Sequence, residues 1–441
     1  MFMSIELITF LLLASLFLLV FTGLPLAFSL GSVGIIFSYI FLGPESLFLL
    51  ASRARSTMFI YVMIAVPLFM FMASILDKSG LADDLYNALS IWMGPVRGGL
   101  AMGTIVICTL MAAMSGVSAA AVLTMGVIAL PAMMKRGYDK SLAMGSITAG
   151  GALGQLIPPS ILMVIYGGVA GVSVGKLFMG GLFPGLLLAA LFIVYIAIRS
   201  FFQKNIAPAM PEKERREITW NQKFISLKSI ILPTLLIIGV LGSIFKGIAT
   251  PTEAAAIGAG GSIVCGLIHR RLTWEIIRTA CFNTLKSTCM VMWIMMGSML
   301  FVSFYFSVGG DDFVKETLLG MEINRWFIIF GMQAVLFVLG CLLDPAGIVM
   351  LCTPLFLPIV ITLGFDPLWF GVLFIVNLEM AYLTPPFGYN LFYLKSVVPK
   401  EVSMGDIYRS VLPFVVLQMI ALIICMIFPM VILWLPELIV G

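Results

Sequence analysis

GGALGQLIPPS (150–160) and NLEMAYLTPPFG (377–388) decide the reading of this chain. Each runs an apolar segment into a proline pair, which cannot continue an intact helix. A shift of 227 positions carries Pro158 and Pro159 onto Pro385 and Pro386. The same shift carries Pro131, Gly137, Tyr138 and Asp139 onto Pro358, Gly364, Phe365 and Asp366. With small changes of offset the match extends from Pro25 to Pro251 and from Phe183-Pro184 to Leu412-Pro413. Self-similarity on this scale is what a fold of two related halves leaves in a sequence. The halves are about 1–200 and 228–441, with a linker at about 201–227 whose polar part is Pro208 to Asn221.

Composition names the solvent. Of 441 residues, 61% are hydrophobic and 10% charged, against about 25% charged in soluble domains. A bilayer core of about 30 Å takes about 20 apolar residues per helical crossing. Ile5 to Phe21, Phe59 to Leu76, Met179 to Ile198, Ile230 to Phe245, Val291 to Val308 and Val411 to Leu435 are the clearest such runs. The first has neither a basic leader nor a clean cleavage site, so it is read as a mature helix rather than a signal peptide. The seven cysteines are scattered in apolar runs without a CxxC pair, which indicates neither a disulfide framework nor a zinc site. The net charge of +4 sits in short loops, and no nucleic-acid partner is expected.

Loop charge assigns sides, since short cytoplasmic loops are enriched in lysine and arginine. Arg199 to Lys228 carries Arg199, Lys204, Lys213, Arg215, Arg216, Lys223 and Lys228 against three glutamates, and is placed inside. His269, Arg270, Arg271, Arg278 and Lys286 mark a second inside loop, and Lys135, Arg136 and Lys140 a third. The segment with Asp311, Asp312, Glu316 and Glu322 is placed outside. Threading these sides gives five crossings per half plus one segment that enters and leaves on the same side. These re-entrant hairpins span about 100–130, entering from the cytoplasm, and about 327–357, entering from the periplasm. Five is odd, so the repeat is inverted and both termini are periplasmic. The segment with Arg53 and Arg55 stands against the charge rule, because this thread puts it outside or in the interface. Glu45 to Thr57 and Arg271 to Lys286 are polar on one face and read as amphipathic interfacial helices.

The hairpins should break at Ser115-Gly116-Val117-Ser118 and Leu343-Asp344-Pro345-Ala346, which the 227 shift superposes. The helices that follow, about 141–167 and about 370–395, should break at Gly150 to Gln155 and at Asn377 to Thr384. Irregular backbone at membrane depth is tolerated only where protein or a watery cavity satisfies it. Carbonyls at half-helix C-termini suit sodium and amides at N-termini suit a carboxylate, so the pattern describes a site for two cations and one anion near the midplane. The competing reading is that small residues here only let helices pack closely. Recurrence at equivalent places in both halves favours binding.

Asp344 is an acid inside an apolar hairpin, which is functional by default. It is also an N-cap directly before Pro345, and the two roles are compatible. Thr250-Pro251-Thr252-Glu253 reads as a capping box with proline at the first helical position. Glu379 lies one turn from the Thr384 break, where it can face the cavity or an aqueous crevice. His269 reads as a plain loop residue.

Four stretches then carry a resemblance: Ser115-Gly116-Val117-Ser118-Ala119-Ala120, Gly154-Gln155-Leu156-Ile157-Pro158-Pro159-Ser160, Ala249-Thr250-Pro251-Thr252-Glu253-Ala254-Ala255-Ala256 and Thr384-Pro385-Pro386-Phe387-Gly388. Over essentially its whole length the chain resembles the large membrane subunit, DctM-type, of the tripartite ATP-independent periplasmic (TRAP) transporters. The resemblance implies an all-α polytopic protein of the bacterial inner membrane that imports a small organic anion with sodium by an elevator mechanism. It implies a four-helix small membrane subunit and a periplasmic substrate-binding protein as partners. The four extra helices of fused versions are lacking here, so the small subunit is expected as a separate chain. Carried over residue by residue, one sodium site uses Ser115 and Ser118 with backbone at Gly150 and Gly154. The other uses Gly340, Asp344, Asn377 and Thr384. The anion falls to the same tips and breaks, at Ser115, Gly116, Gln155, Pro158, Pro385 and Asn390. Val117 stands where the family often has a small polar residue.

Two rivals belong to other classes. One is a stand-alone sodium-coupled anion transporter or exchanger of the same fold, separated by whether neighbouring reading frames encode the two partners. The other is a membrane-embedded hydrolase, for which the chain offers no His-Glu-x-x-His, no Gly-x-Ser-x-Gly and no second intramembrane aspartate near Asp344.

Overall fold

Gly137-Tyr138-Asp139 and Gly364-Phe365-Asp366 build the same local structure 227 positions apart. Each glycine ends a helix at positive φ, 77° at Gly137 and 76° at Gly364, a conformation that costs residues with a Cβ about 1–2 kcal/mol. Each aspartate then caps the next helix. Asp139 Oδ1 accepts from the Leu142 amide at 3.0 Å, and Asp366 Oδ1 accepts from the Leu368 and Trp369 amides at 2.7 and 3.0 Å. The repeat in sequence is thus a repeat of helix stops and starts.

The structure, a computed structural model, describes residues 3–212, 214, 219–320 and 323–440. Of the charges used to assign sides, Lys213, Arg215, Arg216, Glu217 and Glu322 lie outside the described residues, as does the side chain of Lys228. The first half comprises α1 (Ile5–Phe21), α2 (Leu26–Leu42), α3 (Ser46–Met58), α4 (Ala65–Lys78), α5 (Leu81–Met93), α6 (Gly99–Ser115), α7 (Ser118–Lys135), α8 (Lys140–Ala152), α9 (Ile161–Ala170) and α10 (Val174–Phe202). The second comprises α11 (Trp220–Phe245), α12 (Pro251–Ile268), α13 (Trp274–Ser307), α14 (Gly310–Leu319), α15 (Arg325–Gly340), α16 (Pro345–Thr362), α17 (Pro367–Ala381), α18 (Tyr389–Val397), α19 (Met404–Ile427) and α20 (Met430–Val440). Among the described residues there is no strand, and seven helices are long and apolar enough to cross a membrane.

Packing follows the repeat. Helix α2 packs on α13 while its counterpart α12 packs on α4, the counterpart of the second part of α13. In the same way α8 packs on α19 and α17 on α10, and α7 packs on α18 and α16 on α9. Each contact therefore has an equivalent with the halves exchanged. At the centre stand α8, buried throughout from Leu142 to Ala152, and α17, buried throughout from Leu368 to Ala381. Helices with no polar face belong in the middle of a bundle. Helix α1 is the opposite case. It buries only the stripe Ile8, Leu12 and Leu16, while Phe10, Leu18 and Phe21 are 65–67% exposed, an arrangement that needs an apolar surrounding.

Two boundaries differ from the sequence reading. Glu45 to Thr57 does form its own helix, α3, but Arg271 to Lys286 is not a separate interfacial helix. It forms the first turns of the 34-residue α13. No proline interrupts 274–307, so the hydrogen-bond ladder runs on, whereas in the first half Pro67 follows the break after Met58. Similarly, α17 continues through Asn377 and stops only at Ala381, because nothing before the diproline denies the helix a donor. The Thr250 capping box forms as expected, with the Thr250 amide donating to Glu253 Oε2 at 2.8 Å and the Glu253 amide to Thr250 Oγ1 at 3.3 Å.

Candidate functional site

Each hairpin is two helices joined by a tip, and each tip is set by local chemistry. Helix α6 ends at Ser115; Gly116 follows at φ 61° and Val117 is extended before α7 starts at Ser118. A Cβ at Gly116 would run into the Pro159 carbonyl oxygen, so only glycine lets the tip nest on the broken helix. Behind the tip, a Cβ at Gly154 would lie 3.0 Å from the Val117 carbonyl carbon and 3.1 Å from the Ser118 nitrogen. In the second hairpin α15 ends at Gly340 and α16 starts at Pro345, with Asp344 Oδ1 accepting from the Ala346 amide at 2.9 Å. Both breaks carry cis diprolines, Pro158-Pro159 and Pro385-Pro386.

These four features meet. A cavity of ≈ 110 Å³ is lined by Gly116 to Ala119 of the first tip, Asp344 to Ala346 of the second, Gln155 of the first break and Tyr382 of the second. Helix α9 contributes Ile161, Leu162 and Ile165, and Tyr393 comes from α18. Met70 on α4 and Met290 and Val291 on α13 close the remaining wall. Its one carboxylate among the described residues is Asp344. Gln155 Oε1 is buried without a hydrogen-bond partner. An unpaired buried acceptor costs about 1–3 kcal/mol, and a donor or cation arriving in the cavity removes that cost.

The serines are held from behind. Ser115 Oγ donates to the Met111 carbonyl at 2.9 Å and lies 3.2 Å from that of Val117. Ser118 Oγ donates to Asn390 Oδ1 at 2.6 Å, and Asn390 Nδ2 reaches the Thr148 carbonyl at 3.4 Å. Asn390, fully buried at the start of α18, thereby ties the first tip and the first broken helix to the second break.

Of the residues singled out from sequence, Gly116, Ser118, Gln155 and Asp344 line the cavity. Ser115, Gly154 and Asn390 stand directly behind its wall. Gly150 instead faces Cys108 on α6, and Gly340 faces Ala381. Asn377 lies deeper in α17, where its Nδ2 donates to the Gln333 carbonyl at 2.7 Å and to Gln333 Oε1 at 2.6 Å, leaving its own Oδ1 without a partner. Thr384 Oγ1 donates back to the Met380 carbonyl at 2.9 Å. Pro158 and Pro385 shape their breaks and are absent from the lining. Asp344 caps α16 and also lines the cavity. Glu379 is fully buried and absent from the lining; Gln418 Nε2 donates to its Oε1 at 3.2 Å.

Tyr382 and Tyr393 were not anticipated. Tyr382 sits where the 227 shift places Gln155, so the repeat held the signal. Tyr393 lies one turn beyond Asn390 on α18 and had no signal of its own. Met70 and Met290 are brought in by tertiary packing alone.

The family profile described as "Tripartite ATP-independent periplasmic transporter, DctM component" matches residues 13–431. The chain is 35% identical over 410 residues to the C4-dicarboxylate TRAP transporter large permease protein DctM of Pseudomonas aeruginosa, covering 93% of this chain and 94% of that one. It is 30% identical over 412 residues to the isethionate TRAP transporter permease protein DctMQ of Oleidesulfovibrio alaskensis, covering 93% of this chain and 63% of that longer one. Among solved structures, the antimetabolite efflux pump MtrF of Neisseria gonorrhoeae superposes with a TM-score of 0.62 at 15% identity, over 89% of this chain and 85% of that one. That likeness is one of fold: an all-helical, polytopic membrane architecture. With helix breaks repeated around one cavity and a family profile matched from residue 13 to residue 431, this chain belongs to the DctM components of the tripartite ATP-independent periplasmic transporters.

Proposed function

We propose that this chain carries a small organic anion, a carboxylate such as a dicarboxylate or sugar acid, across the bacterial inner membrane in symport with sodium. The observation that carries the reading is the convergence of two hairpin tips and two helix breaks on one cavity. Broken helices present carbonyls at their C-terminal ends and amides at their N-terminal ends, which serve a cation and an anion in the same small space. The first sodium ion is assigned to Ser115, Ser118 and the backbone at Gly150 and Gly154. The second is assigned to Gly340, Asp344, Asn377 and Thr384. The unpartnered Gln155 Oε1 and Asn377 Oδ1 are buried oxygens of the kind a sodium ion takes.

In this reading the halves are about 1–200 and 228–441 with a cytoplasmic linker, both termini face the periplasm, and the hairpins re-enter from opposite sides. The hairpins, α8 and α9, and α17 and α18 move together against α1 to α4 and α11 to α13, as in an elevator. The anion is delivered by a periplasmic binding protein, and a four-helix small subunit sits against the scaffold. The longer DctMQ relative, in which a permease of this kind takes up 63% of the chain, supports that pairing.

Sodium binding is testable without knowing the anion. A ligand that binds only the folded state at 100 times its Kd stabilises by about 2.7 kcal/mol. Purified protein with its small subunit should melt several degrees higher in sodium than in potassium at equal ionic strength. Identical melting in the two salts would contradict sodium coupling.

A further inference from the structure

A second and larger cavity, ≈ 480 Å³, lies in file with the first along the same three helices. On α9 the lining moves from Ile161, Leu162 and Ile165 to Gly168 and Val169; on α16 it moves from Pro345 and Ala346 to Met350 and Pro354. On α13 it moves from Met290 and Val291 to Met299, Val302 and Ser303. At 1.5 Å per residue the offset is roughly 10 Å on α16, in each case toward the helix end assigned to the periplasm. In the proposed topology the second cavity thus lies on the periplasmic side of the first.

Its lining is apolar apart from Ser303, Ser307 and one charged side chain among the described residues, Arg53 on α3. Arg53 is the residue that the charge rule could not place. Its neighbour Arg55 lies over the Phe59 ring at 5.9 Å, whereas the Arg53 guanidinium has no hydrogen-bond or ion-pair partner among the described residues. Glu45, the acid that lines the adjoining cavity, is eight positions away on the same helix, about 12 Å. A lone cation at the low-dielectric mouth of a cavity large enough for a small acid raises the local concentration of anions. A guanidinium also grips carboxylate, sulfonate or phosphate oxygens in pairs.

We infer that Arg53 is the anion-selecting residue of an outer vestibule, holding a carboxylate or sulfonate on its way to the inner cavity. This rests on the reading of the chain as an anion transporter and adds a binding site to it.

The test reads the vestibule directly. In a background with the exposed Cys281 and Cys289 replaced by serine, Ser307→Cys places a thiol in the vestibule wall. Its reaction rates with an anionic and a cationic methanethiosulfonate are compared in phosphatidylcholine vesicles. Arg53→Gln should lower the anionic-to-cationic rate ratio about five- to tenfold, and Arg53→Lys should keep most of it. A ratio unchanged by Arg53→Gln overturns the inference. So does a ratio erased by adding phosphatidylglycerol, which would make Arg53 a lipid-headgroup ligand. In sodium-driven uptake, Arg53→Gln should lower the rate at limiting loaded binding protein about fivefold and leave the maximal rate within about twofold. Weakened docking of the empty binding protein to the glutamine variant would also overturn it. A large reagent ratio in a wild type that shows no sodium-driven uptake would sink the transport reading and leave the anion site standing.

Discussion

The Ser118 hydroxyl donates to the Asn390 amide oxygen at 2.6 Å across 272 positions of sequence. One belongs to the first hairpin tip and the other to the helix after the second diproline, so the bond joins the two halves at the candidate site. Ser118→Ala keeps the local volume and the backbone carbonyls. It should raise the sodium concentration for half-maximal uptake roughly tenfold, the equivalent of about 1.4 kcal/mol for one lost oxygen ligand. Protein yield should hardly change. Asn390→Ala strands the Ser118 hydroxyl in a buried place and should cost about 1–3 kcal/mol of stability as well. A normal sodium response in Ser118→Ala would remove that hydroxyl from the ion site.

Asp344 caps α16 through its 2.9 Å bond from the Ala346 amide and also faces the cavity. Asparagine caps about as well as aspartate, so Asp344→Asn separates the two roles. The expected outcome is normal yield with a large loss of sodium dependence. An unaltered sodium response would leave capping as its role. If Ser118→Ala were silent too, the ions would be held by backbone oxygens alone.

Gly154 has no room for a side chain, since a Cβ there would lie 3.0 Å from Val117. Gly154→Ala must push the first tip outward by a few tenths of an ångström. Overpacking of this kind costs about 1–3 kcal/mol, and here the strain falls on the tip. Uptake should fall more than tenfold while the protein still assembles with its small subunit. Wild-type uptake from Gly154→Ala would show that the tip does not need its position.

Topology is checked by cysteine accessibility. Residues near Ser4 should label from the periplasm and residues in the 199–228 loop from the cytoplasm. Labelling of both from the same side would contradict the odd number of crossings per half. A cysteine beside Glu214, on the loop where Arg136 and Glu214 approach to 3.5 Å, is a suitable cytoplasmic reporter.

Much of the fold was legible because its punctuation is local. Gly137 and Gly364 stop helices, Asp139 and Asp366 start them, and the diprolines break them, all within a few residues. The α3 and α13 difference was harder. The charged stretch Arg271 to Lys286 looks too polar to be part of a spanning helix, and only the lack of a breaker through Ser307 joins it to the next segment. At the site, the tips and the first helix break were readable as chain breaks, and they supplied Gly116, Ser118, Gln155 and Asp344. Asn377 lies inside α17 rather than in the break, and its Nδ2 is held by Gln333, a partner 44 positions away that no local pattern shows. Tyr382 and Tyr393 look like ordinary membrane aromatics until tertiary packing turns them toward the cavity. Met70 and Met290 enter through the crossings of α4 and α13 with the hairpins, which no local pattern encodes.

In the proposed function the hairpin tips and helix breaks form one sodium-driven anion site, used only in the company of two partners. Proteoliposomes holding this chain and its small subunit, supplied with binding protein and a panel of labelled organic acids, test it most directly. The expected result is uptake of one class of acid that requires an inward sodium gradient and stops when either partner is left out. Robust sodium-driven uptake of free acid by the single chain would contradict the tripartite reading, and uptake indifferent to sodium would contradict the ion sites.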